Sequence, residues 1–201
     1  MKRRNINGRK FSFSEQYSKS WNYIKSSRNY IFTAIILFFV FAILGYFVNV
    51  PEELSNLILQ YIQELLVKTE GLGAWGLISF IFFNNVQSGL FSFIFGALFG
   101  IFPVIIAIFN GFILGFVSNM AVQQGGISVL LDLLPHGVFE LPAIFISLGM
   151  GLRFGSFLFR KNPAENFRIY FWGGLRVFIF VVIPLLIVAA IIEGSLIALG
   201  G

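Results

Sequence analysis

Residues 72–122 form a run of roughly 51 residues without a single charged side chain. An α-helix rises about 1.5 Å per residue, so one helix of that length would be more than twice as long as the roughly 30 Å hydrocarbon core of a bilayer is thick. The run must therefore turn back, and residues 96–103, which hold two glycines and a proline, are the natural place. Span two is predicted over 73–94 and span three over 103–122. Span one is predicted over 30–50, ended by Pro51. Span four covers 137–159 and is closed by Arg160, Lys161, Asn162 and Pro163. Span five covers 171–199, with a kink at Pro184. Gln123, Gln124, Gly125 and Gly126 end span three, and 127–135 reads as a short surface or re-entrant segment. The expected fold is all-α: a polytopic membrane helical bundle of about five transmembrane helices, a single domain over 30–201 behind a basic arm at 1–29.

Composition agrees. Apolar residues make up 57% of the chain and charged residues 11%, against about 45–50% and about 25% in soluble domains. With 201 residues, five spans leave no room for a large soluble catalytic domain. Cysteine is absent, which excludes disulfides, zinc–thiolate sites, iron–sulfur clusters and cysteine nucleophiles. There is one histidine, so no site is built on two.

The net charge of +5 is unevenly spread. Lys2, Arg3, Arg4, Arg9, Lys10, Lys19, Lys25 and Arg28 precede the first span, opposed only by Glu15. An apolar run follows at once, so the arm points to an anionic membrane face rather than to nucleic acid. Phe13, Tyr17, Trp21 and Ile24 fall at helical spacing, with the lysines largely on the other side. This predicts an interfacial helix, its aromatic side in the lipid. No small-x-small cleavage site follows residues 30–50, which read as an uncleaved span rather than a signal sequence. With the N-terminus inside, Arg153, Arg160, Lys161 and Arg168 join the arm on the inner face, and the outer loops hold Lys68 alone. Residues 52–70 then form an external amphipathic helix, with Leu54, Leu57, Ile58, Tyr61, Ile62, Leu65 and Leu66 on its apolar side.

Small residues recur every four positions: Ser92, Gly96, Gly100; Gly111, Gly115, Asn119; Ser147, Gly151, Gly155. Rows of this kind let helix backbones approach closely in lipid, within one bundle or between copies in a homo-oligomer. Polar groups at depth form a second set. Asn84 and Asn85 lie roughly 16 Å below the outer end of span two. Asn110 and Asn119 lie in span three, and Glu140 lies one turn inside span four, four residues after His136. Unpaired, such groups cost several kcal/mol, so they should face inward and hydrogen-bond one another. Arg153 and Arg176, near the inner helix ends, can snorkel to the headgroups, and Glu193 sits near the outer end of span five.

Three readings of His136 and Glu140 compete: a catalytic acid/base pair, a proton or ion site, and a structural clamp. Metal hydrolysis needs about three protein ligands, and Asp132 is the one nearby carboxylate that would complete the set. Pro135 and Gly137 interrupt a common helix face, so the clamp is the reading adopted and no metal or cofactor is assigned. Residues 71–76, Gly-Leu-Gly-Ala-Trp-Gly, match a dinucleotide fingerprint by letter, but they lead into a span and lack the preceding strand.

One segment is more specific: Leu134-Pro-His-Gly-Val-Phe-Glu-Leu-Pro-Ala143, followed by Gly149-Met-Gly151-Leu-Arg153. With Asn84-Asn85, Gly96-Ala-Leu-Phe-Gly100 and Asn110-Gly111-Phe-Ile-Leu-Gly115 before it, the pattern resembles the stage II sporulation protein M family of integral membrane proteins. The motifs cover about residues 80–155. The arm and residues 52–70 carry none. The resemblance implies a helical membrane protein without catalytic activity of its own. In endospore-forming bacteria it implies a membrane partner that helps localise cell-wall-degrading proteins during engulfment. Relatives also occur in bacteria and archaea that do not sporulate. The expected function is a non-enzymatic scaffold or recruitment subunit of an envelope-associated complex in the cell membrane. Its partners would be an anionic inner leaflet, membrane or envelope proteins and, as an option, further copies of itself. The alternative is a small transporter or channel using the outer polar groups.

Overall fold

The computed structural model describes residues 12–128, 130 and 134–200, with backbone alone for 134–136 and 200. Residues 1–11 of the basic arm, residues 129 and 131–133 of the 127–135 segment (Asp132 among them) and the His136 side chain lie outside the described residues.

All regular structure among the described residues is helical: α1 (Phe13–Ser26), α2 (Arg28–Phe47), α3 (Glu52–Thr69), α4 (Ala74–Ile94), α5 (Ile101–Gly125), α6 (Leu134–Gly155), α7 (Pro163–Val177) and α8 (Ile183–Gly200). Five stretches are long and apolar enough to cross a membrane: Arg28–Phe47, Ala74–Ala97, Ile101–Gly125, Gly137–Phe159 and Pro163–Leu199. The protein is a multi-pass membrane protein.

The expected reversal between spans two and three is made by six residues, 95–100. Phe99 and Gly100 both take left-handed backbone angles, φ 56° and 72°. Only glycine does so without steric cost, and Gly100 is the residue that opens α5. Pro103 follows in the first turn of α5, where its missing N–H leaves no bond unmade. Span five differs most from expectation, beginning at Pro163 and running 37 residues. That is about 55 Å of helix, well beyond one crossing. A π-helical segment, Phe178–Val182, joins α7 to α8 and ends two residues before Pro184. Pro184 donates no N–H, and its ring clashes with the carbonyl four residues back, so the helix widens there.

Two tight helix pairs flank a central helix. α2 packs along α5, α4 packs along α8, and α6 touches all four. Half of the apolar stretch of α6 is buried, against 17% for α2. One core cluster gathers Phe93, Ala143, Met150, Phe154, Val177, Phe178 and Leu186 from α4, α6, α7, α8 and the π segment. The other gathers Ala34, Phe38, Ala107, Phe145 and Leu148 from α2, α5 and α6.

The glycine rows sit at these contacts. A Cβ at Gly111 would strike the Phe38 carbonyl, and one at Gly115 the Ala42 carbonyl. This order makes α2 and α5 parallel, as the first and third crossings of an alternating topology must be. Gly96 and Gly151 abut each other, and Gly155 abuts the backbone of Gly96 and Gly100. All three rows are used within one chain. Gly45 against Phe112 and Gly149 against Ile31 are equally tight, although neither belongs to the spacing pattern that singled out the others.

The two amphipathic helices lie at opposite ends of α2. α1 is capped by Ser12, whose Oγ accepts from the Glu15 N–H, and packs on α7 and the π segment. Phe13, Tyr17 and Trp21 stay exposed, while Ser20 and Ser27 are fully buried. α3 has Glu52 and Glu53 in its first turn and Lys68 in its last, the arrangement favoured by the helix dipole. It buries only Ile58. Its further tie to the bundle is the contact of Tyr61 with the Phe109 ring, 6.2 Å between centroids.

Candidate functional site

Two polar assemblies occupy opposite parts of α6. In its N-terminal half stands Glu140. The Asn85 amide of α4, itself buried, and Glu193 of α8 both lie close enough to the Glu140 carboxyl to act on it. Glu193 turns an oxygen into the protein interior. Three helices thus bring two carboxyl groups and one amide together within the membrane-spanning part.

The six polar residues singled out from the sequence do not all meet there. Asn85 joins Glu140, whereas Asn84 is exposed, because one residue along a helix is a turn of about 100°. Asn110 and Asn119 are half-buried on α5. Asn119 accepts from Gln123 Nε2 at 2.6 Å. His136 is in the first turn of α6, its side chain outside the described residues. Glu193 enters the group from the far end of the chain. Its sequence signal was a lone carboxylate inside an apolar span. Among the described residues no three His, Cys, Asp or Glu side chains gather into a set able to hold a metal ion.

The second assembly surrounds Arg153, in the last turns of α6. Rather than reaching out to headgroups, Arg153 turns back to α1. Its Nη1 donates to Tyr23 O at 3.2 Å, Ser26 Oγ at 2.6 Å and Ser27 Oγ at 2.6 Å. The guanidinium lies against the rings of Tyr23 and Tyr170, 4.1 and 4.9 Å from their centroids. Tyr23 in turn donates to the Tyr170 carbonyl at 3.2 Å. Its ring fills the space that a side chain at Gly173 would take. Burial pushes the Tyr23 phenol well above its ordinary pKa, with the Arg153 charge acting in the opposite sense. Nearby, Arg160 Nη2 donates to Tyr30 OH at 2.9 Å, and Tyr30 donates to Ser156 Oγ at 3.0 Å. Arg176 Nε donates to Gln16 Oε1 at 2.9 Å, a second tie from the bundle to α1. The assembly is a clamp that fixes α1 across the ends of α6 and α7.

The chain matches the family model described as Stage II sporulation protein M over residues 34–196. No curated protein and no solved structure matches it.

Proposed function

The chain belongs to the stage II sporulation protein M family, and from that premise we propose that it is a non-enzymatic scaffold of the cell membrane that recruits protein partners of the envelope. The observation that carries this reading is the contrast between the two amphipathic helices. α1 is clamped to the bundle, while α3 leaves Leu54, Leu57 and Leu66 uncovered at 41, 62 and 62% exposure. Lys19, Lys25, Arg28, Arg160, Lys161 and Arg168 belong to the α1 end and Lys68 to the α3 end. This supports the N-terminus inside and α3 outside, where α3 meets envelope partners. A photocrosslinking residue at position 57 of the full-length protein in its native membrane tests this. Crosslinks to an envelope protein, lost on Leu54→Glu, support recruitment. Crosslinks confined to lipid or to further copies of the chain overturn it.

The Asn85–Glu140–Glu193 group favours a second reading, a small transporter, since ionisable groups inside a bundle mark solute or proton paths. Liposome flux assays of wild type and Glu140→Gln separate the two. Wild-type proton or cation flux that the substitution abolishes supports transport, and its absence supports the scaffold.

A further inference from the structure

The elbow between α1 and α2 carries a groove of about 500 Å³ lined by Ile24, Lys25, Arg28, Ile31, Phe32 and Ile35. Its size lies within the roughly 300–1,000 Å³ of small-molecule sites. Its wall changes character along its length. Lys25 and Arg28 stand at the end where the first span begins. Ile31, Phe32 and Ile35 continue the wall along α2, the last of them about 10 Å further into the span. Cations at the water boundary followed by hydrocarbon match the two parts of a phospholipid.

The charge is available. Among the described residues the one ion pair joins Lys19 to Glu15, and no carboxylate lines the groove. Both Lys25 and Arg28 are exposed. Trp21, the adjacent aromatic surface suited to a quaternary ammonium, already carries Lys25, whose Nζ is 5.6 Å from the ring centroid. A zwitterionic headgroup would thus bring a third cation toward the two existing ones, with no acidic residue in the groove to receive it. An anionic headgroup meets only complementary charge.

We propose that this groove is a binding site for one anionic diacyl phospholipid, its phosphate held by Lys25 and Arg28 and an acyl chain laid along Ile31, Phe32 and Ile35. The site is independent of the α3 surface and of the Glu140 group, so its test does not depend on either functional reading.

The test is native mass spectrometry of the delipidated full-length protein in detergent, titrated separately with dioleoyl phosphatidylglycerol and dioleoyl phosphatidylcholine. Wild type should retain one phosphatidylglycerol roughly thirtyfold more strongly than phosphatidylcholine, as two surface cations predict. Lys25→Gln with Arg28→Gln should bring retention down to the phosphatidylcholine level. Lys161→Gln with Arg168→Gln, which removes equal charge at the same membrane end, should keep it. Phe32→Ala should weaken both lipids together. sn-Glycerol 3-phosphate at matched concentration should not displace the lipid. Equal retention of the two lipids, unchanged retention in the Lys25/Arg28 variant, equal loss in the Lys161/Arg168 variant, or displacement by glycerol phosphate would each overturn the site.

Discussion

Arg153 and Glu140 stand thirteen residues apart on α6, about 20 Å along its axis, and their surroundings are built differently. Arg153 meets three hydrogen-bond acceptors and two aromatic faces. Each partner complements a cation. Glu140 meets one amide and a second carboxyl group. One assembly satisfies its charge, and the other sets like against like. A polar group kept only for stability is expected to look like the first. The second is where a role beyond packing is to be sought, which is why the transport reading stays attached to it and not to the arginine.

The comparison can be broken most severely at the arginine. Arg153→Ala removes charged hydrogen bonds worth about 1.5–3 kcal/mol each and leaves Ser27 buried without its donor. The expected loss is about 3 kcal/mol in thermal or denaturant unfolding in detergent, with α1 becoming cleavable by protease before the bundle unfolds. Arg153→Lys should recover less than half of it, because an ammonium lacks the planar fork that bonds and stacks at once. The same clamp can be opened from the other side. Gly173→Ala drives a methyl into the Tyr23 ring and should cost about 1–3 kcal/mol, again with α1 released first in proteolysis. At the carboxyl pair, Glu140→Ala should cost about 1–2 kcal/mol, since the buried Asn85 amide loses its partner. Glu140→Gln should fall within about 1 kcal/mol of wild type in either direction, because it keeps a hydrogen-bonding group while removing the conflict with Glu193. A loss above about 3 kcal/mol in Glu140→Gln would erase the distinction between the two assemblies. A comparably small effect, a loss of about 1 kcal/mol, is expected for Tyr23→Phe, since the ring contacts with Arg153 and Gly173 remain.

Much of this was legible beforehand. Five crossings follow from run lengths, and the turn at 96–103 follows from a run too long for one helix. The rows containing Gly96, Gly111 and Gly151 announced close contacts because a period of four is visible along a single chain. What the sequence withholds is which helix a given face meets. Gly111 gives no sign that its partner is Phe38, and Glu193 gives none that it returns to Glu140 across more than fifty residues. Asn84 and Asn85 are chemically identical neighbours, and only the packing of α4 decides which one is buried. Arg153 was legible as an amphipathic residue near a helix end. That it turns inward depends on α1 lying across its path, a contact that hydropathy does not encode. The last helix begins at Pro163, eight residues before the expected start of span five, because its first turns carry Glu165 and Arg168 and hydropathy does not separate a polar helical turn from a loop.

The π segment Phe178–Val182 has a consequence for how the two assemblies are aligned. A π turn takes up about one residue more than an α turn, and one residue is about 100° of rotation. The segment therefore sets the angular phase between α7, which presents Tyr170 and Gly173 to Tyr23, and α8, which presents Glu193 to Glu140. Removing a single residue there would leave the helix continuous and the hydropathy profile almost unchanged. Yet with α7 still clamped to α1, α8 would be turned so that Glu193 faced away from Glu140. The faults to fear in this protein are errors of phase as much as errors of composition.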